Sequence, residues 1–180
     1  MLNLPDRRVL LAVFAALAAA WAAPASAQDA SARFAAEALR ICIDTRASAV
    51  EVRRLAAAEQ WTVSDVVSLP FENSITMGDQ KLRRNVTYYP SNVWTFDKGG
   101  LGLIVLVYDI PERPKVRHCE VMAWNLDQEA VHRALKSDRR VKGGFPEPGI
   151  GSRRYWVKGT YFRYGAGEVG GRTLHQLSAS

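Results

Sequence analysis

The sequence has few of the side chains that most often carry out catalysis, with only two cysteines and three histidines in 180 residues. It contains no C-x-x-C, H-x-H or H-E-x-x-H pattern, and a zinc site needs at least three protein ligands. It has no G-x-S-x-G elbow, and its glycine clusters do not follow a strand and open a helix as a phosphate-binding loop does. We therefore predict no metal site and no cofactor, and the familiar hydrolase and nucleotide-binding classes are disfavoured.

Long apolar runs are also scarce, and the longest covers residues 9–23. A short segment with Arg7 and Arg8 precedes this run, and the small-x-small pattern Ala25-Ser26-Ala27 follows it. This order is typical of a secretory signal peptide, which we predict over residues 1–27. The run is too short to span a bilayer comfortably. The mature chain, residues 28–180, is therefore expected to be periplasmic or secreted and not membrane-spanning.

Cys42 and Cys119 are both in the predicted mature chain. In an oxidising compartment a single pair of cysteines is most simply one disulfide. The alternative, two separate buried thiols, becomes the better interpretation if the chain is not exported.

The formal net charge is +6, and the basic residues gather in one part of the sequence. The candidates for an anion-binding surface are Arg133, Lys136, Arg139, Arg140, Arg153 and Arg154. Some of them would also stabilise the C-terminal end of a helix through its dipole, which needs no ligand. The charge favours an anionic component of the cell envelope or another envelope protein as partner. Export and the lack of a recognised binding module make nucleic acid an unlikely partner.

The pattern along the chain predicts an α+β domain. Helices are predicted at 31–43, at 48–60 with Ser48 and Glu51 as a capping box, and at 126–138. Strands are predicted at 81–89, 92–97, 101–108, 115–124, 153–164 and 172–177, with loops at 62–80, 143–151 and 165–171. The predicted fold is an N-terminal helical hairpin and a third helix packed on an antiparallel meander sheet, in a single domain over residues 28–180.

The candidate catalytic pair is His118 and Glu120, which project from the same face of one strand because they are two residues apart. They could form half of a metal site, a general base and its orienting partner, or simply a charged pair on a partly exposed face, which is favoured. If Cys119 meets the first helix, this pair points to the opposite side of the sheet. His132 and His175 are expected at the surface.

The tryptophans Trp94, Trp124 and Trp156 could line a pocket for an apolar ligand. The alternative, that they fill the layer between sheet and helices, is favoured because a domain of this size needs large core side chains.

Two cysteine segments carry a resemblance to known sequences. The chain resembles a group of small uncharacterised secreted proteins of proteobacteria. The resemblance rests on the leader, on Ala38-Leu39-Arg40-Ile41-Cys42, and on Cys119-Glu120-Val121-Met122-Ala123 followed by a helix. The resemblance implies no activity and no site residues. The sequence thus favours an exported, non-catalytic binding or accessory domain. The alternative is a periplasmic hydrolase with a site assembled around His118 and Glu120.

Overall fold

A computed structural model describes residues 25–63, 93–110, 113–147 and 151–180. The α-helices are α1 (Ala25–Ala38), α2 (Ala49–Ala58) and α3 (Gln128–Ser137), and a π-helical segment, Leu39–Asp44, continues α1. The strands are β1 (Thr62–Val63), β2 (Val93–Asp97), β3 (Gly102–Ile110), β4 (Arg113–Trp124), β5 (Lys142–Pro146), β6 (Ser152–Val157), β7 (Thr160–Val169) and β8 (Arg172–Ala179). The predicted strand at 81–89 and most of the predicted loop at 62–80 lie outside the described residues.

The strands form one eight-stranded sheet in the order β1-β2-β3-β4-β8-β7-β6-β5, and every neighbouring pair is antiparallel. Strands β1 to β4 form one meander. Helix α3 then carries the chain to the far edge, and β5 to β8 return as a second meander until β8 pairs with β4. The predicted α+β class with an antiparallel sheet is confirmed.

The principal hydrophobic core lies between the helices and one face of this sheet. Alternate residues of β3 and β4, such as Val105 and Val121, point to this face and are fully buried. Because the continuous apolar run of β3 also buries its other face, Leu106 belongs instead to a smaller cluster on the far side, with Val93, Met122 and Leu174. We call the side of the sheet away from the helices the outer face.

The disulfide between Cys42 and Cys119 is confirmed, with a Cα–Cα distance of 5.4 Å. It joins the π-helical segment to the centre of β4, and both cysteines are fully buried. In the chain-entropy model, a cross-link with this sequence separation of 77 stabilises the fold by about 4.5 kcal/mol. The predicted packing of the Cys119 face against the first helical region is therefore correct. Cys42 lies in the π-helical segment, beyond the end of α1.

Ser48 caps α2 as predicted, because its Oγ accepts a hydrogen bond from the Glu51 backbone N–H at 3.5 Å. The reciprocal half of the predicted capping box is wrong, since the Ser48 N–H donates to the Thr45 carbonyl at 3.1 Å and the Glu51 carboxylate pairs with Arg54 at 2.9 Å. Helix α1 packs mainly on α3: Asp127 caps α3, and its backbone N–H donates to Ser31 Oγ at 3.1 Å. The hairpin packing of α1 against α2 stays a prediction. No helix in the described part of the chain combines the length and apolar character needed to cross a membrane.

The prediction of a loop at 143–151 is wrong for its first part, because Lys142–Pro146 is strand β5. Gly143 and Gly144, which indicated a loop, lie instead at a bulge in the pairing of β5 with β6. Gly143 has φ of +102°, and a Cβ atom there would lie 2.6 Å from the Trp156 ring. Glycine is needed here so that the strand can bulge and the indole can lie against its backbone.

The prediction of one long strand at 153–164 is also wrong, since these residues form the hairpin of β6 and β7. Lys158 and Gly159 both have positive φ, 49° and 86°, which is the geometry of a tight two-residue hairpin turn. The predicted loop at 165–171 is likewise mostly strand, because β7 continues to Val169.

Candidate functional site

The candidate pair His118 and Glu120 lies on the outer face of β4. Glu120 is buried, although a partly exposed charged pair was expected, and His118 is partly exposed. The register of the sheet sets Glu120 opposite Leu106 of β3 on one side and Ser178 of β8 on the other. Among the described residues, no group of three or more His, Cys, Asp or Glu side chains is arranged to hold a metal ion.

Much of the predicted basic surface is neutralised by carboxylates. Arg140 pairs with Asp44 at 2.6 Å and Asp138 at 2.7 Å, and these bonds raise the pKa of Arg140 while its guanidinium lowers the pKa of Asp138. Arg153 pairs with Glu129 on α3 at 2.9 Å. This part of the surface is therefore largely a set of ion pairs that links the start and end of α3 to neighbouring elements.

The remaining members of that basic set differ in their surroundings. Arg133, Lys136 and Arg139 are exposed, and within the described part of the chain none of them pairs with a carboxylate. Arg154 lies elsewhere, on the outer face of β6. The six predicted residues are thus divided between two surfaces of the molecule.

The prediction that His132 and His175 lie at the surface is wrong, because both are buried between α3 and the sheet. His132 Nδ1 is 2.5 Å from the hydroxyl of Tyr155, and His175 Nδ1 is 2.7 Å from the hydroxyl of Tyr164. The rings of His132 and Tyr164 meet edge to face at 4.8 Å. We call these four residues the buried histidine–tyrosine cluster.

Burial governs the ionisation of this cluster. It lowers the pKa of His132 to about 4, with the nearby Arg153 acting in the same direction, and it also lowers the pKa of His175. It raises the pKa of Tyr155 to about 12. Both imidazoles are therefore neutral near pH 7. In the described structure His132 Nε2 is buried without a hydrogen-bond partner, whereas the backbone of Leu126 is a second partner of His175. With no access to solvent, the cluster joins α3 to β6, β7 and β8 and does not present a base to a substrate.

A second set of side chains lies on the outer face of β5, β6 and β7, where the sheet is open to solvent. Phe145 is 64% exposed and meets the half-buried Trp156 at a ring distance of 6.0 Å. Trp156 in turn meets Tyr161 of the next strand at 6.1 Å. The guanidinium of Arg163 lies 5.4 Å from the centre of the Tyr161 ring. One mostly exposed ring, continued by two half-buried rings and flanked by arginines, makes this part of the sheet a candidate binding surface.

Two arginines of this surface share one buried carboxylate. Arg154 and Arg163 are directly opposite each other in the register of β6 and β7, an arrangement that would otherwise be repulsive. Glu147, whose side chain is only 4% exposed, lies 2.8 Å from Arg154 Nε and 3.3 Å from Arg163 Nε. Its carboxylate also accepts hydrogen bonds from the hydroxyls of Ser152 at 2.5 Å and Tyr161 at 3.3 Å. The carboxylate offsets one of the two positive charges and fixes both arginines in place.

We name this surface the aromatic–arginine face: Phe145, Trp156, Tyr161, Arg154 and Arg163, supported by Glu147. Sequence reasoning missed it because a single strand through 153–164 sets Trp156 and Tyr161 on opposite faces. The dipeptide Lys158-Gly159 between two aromatic runs was the available signal for a turn.

The three tryptophans, for which core filling was favoured over the lining of a pocket, lie in different layers. Trp94 is buried in the principal core, and Trp156 belongs to the aromatic–arginine face. Trp124 packs against the smaller outer cluster, with the Arg172 guanidinium 4.6 Å from its ring centre. They do not form one pocket.

A separate cleft of about 450 Å³ lies between the π-helical segment and α2. Most of its charged side chains are paired: Arg54 bonds Glu51 at 2.9 Å, and Arg40 bonds Glu59 at 2.7 Å, with Glu37 as a further partner. The exposed Arg46 also lines the cleft, but no aromatic ring does.

Comparisons of the chain with protein-family models, with curated proteins and with solved structures found no match.

Proposed function

We propose that this chain is an exported, periplasmic or secreted, non-catalytic binding or accessory domain that holds its partner on the aromatic–arginine face. The observation that carries the proposal is the row of Phe145, Trp156 and Tyr161 across three strands, next to two arginines anchored by a buried glutamate. Aromatic rings and arginine are the side chains most enriched where proteins bind their partners. The partner proposed is an anionic component of the envelope or another envelope protein.

Export is supported by the leader pattern of residues 1–27 and by the Cys42–Cys119 disulfide. Disulfides persist in oxidising compartments and are rare where thiols are kept reduced. A small exported domain also gains much of its stability from such a cross-link.

A binding role is favoured over catalysis by where the ionisable groups lie. His132 and His175 are buried and neutral near pH 7, and Glu147 is held between two arginines. A general base must reach its substrate and change protonation near the working pH. None of these three groups meets both conditions.

The proposal is tested by sedimentation of the purified mature protein with isolated cell-envelope fractions. Phe145→Ser should reduce the bound fraction severalfold. Val50→Ser is the matched control, because Val50 on α2 is also a largely exposed apolar side chain, at 68%. Equal binding by the wild type and Phe145→Ser, or no sedimentation of the wild type with any fraction, would refute this role of the face.

The competing hydrolase hypothesis is supported by one observation, the position of Ser178 directly opposite Glu120 on the face that also carries His118. A serine nucleophile needs the histidine next to it and the acid behind the histidine, whereas this register sets the serine beside the acid. The test is hydrolysis of a panel of chromogenic esters, amides and glycosides. Activity that disappears in both His118→Ala and Ser178→Ala, with the fold retained, would establish the enzyme and displace the binding proposal.

A further inference from the structure

We propose that the ligand of the aromatic–arginine face is an acidic oligosaccharide, a chain of sugar rings that carry carboxylate groups. This inference rests on the proposed function and names the chemistry of its partner. Two features of the face, its aromatic row and its arginine pair, each specify one part of such a ligand.

The aromatic row suits a ligand built from successive rings. The centres of Phe145, Trp156 and Tyr161 are separated by 6.0 and 6.1 Å, one ring on each of β5, β6 and β7. Neighbouring strands in a sheet are about 4.8 Å apart, so the row crosses the strands and offers several apolar contacts in line. The C–H faces of sugar rings are apolar and pack on aromatic side chains, while their hydroxyls remain in water. A chain of sugars can therefore extend along the row.

The arginine pair specifies a negative charge on that ligand. Arg154 and Arg163 make their closest approach to Glu147 through Nε, and their side chains remain 45% and 38% exposed. One carboxylate offsets only one of the two positive charges. The terminal nitrogens of a guanidinium form a planar fork that fits a carboxylate in two parallel hydrogen bonds. A carboxylate on the ligand supplies both the missing charge and the matching geometry.

The rigidity of the face favours a stacked saccharide over a membrane surface. Trp156 lies against Gly143, where even a Cβ atom would clash at 2.6 Å, and the Tyr161 hydroxyl is hydrogen-bonded to Glu147. Of the three rings only Phe145 is mostly exposed, whereas Trp156 and Tyr161 are half-buried. Insertion into a bilayer requires several apolar side chains to project from the surface. Adjacent rings of the row are held at 63° and 62° to each other, which suits a jointed chain of sugar rings, each contacting one aromatic side chain, better than the plane of a membrane.

The test is calorimetric titration of the mature protein with four probes: hexagalacturonate, the neutral hexasaccharide cellohexaose, an oligoglutamate peptide, and vesicles of phosphatidylcholine with phosphatidylglycerol. We expect binding of hexagalacturonate that is at least about tenfold tighter than that of cellohexaose, a difference of about 1.4 kcal/mol, because only the acidic saccharide can form charge-assisted hydrogen bonds with the arginines. The double variant Arg154→Gln/Arg163→Gln should remove most of this difference, and Phe145→Ser should weaken binding severalfold. Arg54→Gln, which removes an exposed arginine on α2, is the control.

The remaining outcomes distinguish failure of the acidic-saccharide inference from failure of the proposed function. Equal affinity for the acidic and neutral saccharides, or binding of the vesicles or the oligoglutamate peptide alone, would overturn the acidic-saccharide inference while the face remains a binding surface. Retention of hexagalacturonate binding by the arginine double variant would also overturn it. If none of the four probes binds while Phe145→Ser still releases the protein from envelope fractions, the saccharide inference fails and the proposed function stands. Both fail if that variant changes nothing in either experiment.

Discussion

Acid should destabilise this protein through the buried histidine–tyrosine cluster, and His132 is the residue that tests it. Its side chain is 1% exposed, and its Nδ1 is 2.5 Å from the Tyr155 hydroxyl. The charges around it are Arg153 on β6, Lys136 and Glu129 of α3, and His175 of β8 when it is protonated. Burial is the largest influence and disfavours the imidazolium, as do all of these charges except Glu129.

The size of the effect follows from the two pKa values. His132 has a pKa of about 4 in the folded protein, against 6.5 for an ordinary histidine. The unfolded chain therefore binds more protons between these values, so stability is fully present above about pH 6.5 and falls as the pH decreases towards 4. One pKa unit corresponds to about 1.4 kcal/mol, which gives a loss of about 3 kcal/mol across the window and about 2 kcal/mol by pH 5. The pKa of His175 is lowered by burial as well and adds a loss of the same sign.

The measurement is urea unfolding of the mature protein at several pH values between 7 and 4.5. In the double variant His132→Phe/Tyr155→Phe, which leaves no unpaired hydroxyl, the decrease in unfolding free energy from pH 7 to pH 5 should be smaller by about 2 kcal/mol. Tyr155→Phe alone is the matched control, since it keeps the buried imidazole and should keep the pH dependence. If the double variant and the control lose stability equally between pH 7 and pH 5, His132 is not a buried neutral histidine and the reasoning is refuted.

Three further outcomes test other parts of the fold. Ser48→Ala should lower the unfolding free energy by about 1 kcal/mol in urea titration, because the first turn of α2 loses its side-chain acceptor; an unchanged midpoint would contradict that cap. Gly143→Ala should lower the thermal midpoint clearly, whereas Gly167→Ala, where a Cβ meets nothing within 4 Å, should change it little; equal midpoints would argue against the bulge in β5. Non-reducing digestion and mass spectrometry should recover the Cys42 and Cys119 peptides as one species, and two free thiols would contradict the disulfide.

The elements with strong local signals were predictable from the sequence. Val105 and its neighbours form an apolar run typical of a strand buried on both faces, and the cap by Ser48 acts within one helical turn. The disulfide followed from the presence of only two cysteines in a chain with a leader pattern. In each case the cause lies within a few residues or in a simple count, and no distant contact has to be known.

The errors arose where a distant partner decides the structure. Glycine at 143 suggests a turn when considered alone, but it lies in a strand because the indole of Trp156 occupies the space beside it. His132 and His175 were expected at the surface but are buried, because the hydroxyl of a tyrosine on a neighbouring strand pairs with each imidazole. Such pairing removes most of the cost of burying a polar ring, and a short sequence window does not contain it.

The candidate binding surface depends on a single turn. Side chains alternate along a strand, so a two-residue turn at Lys158-Gly159 reverses the chain and sets Trp156 directly beside Tyr161 on the same face. The same reversal sets Arg163 opposite Arg154, and only then does one buried carboxylate, Glu147, become necessary. A strand without that turn would distribute these side chains over both faces and would not bring these rings and arginines together. The turn therefore determines both the hairpin and the candidate face. Gly159→Val, which disfavours positive φ, should reduce sedimentation of the mature protein with envelope fractions as Phe145→Ser does, and sedimentation equal to that of the wild type would contradict this dependence on the turn.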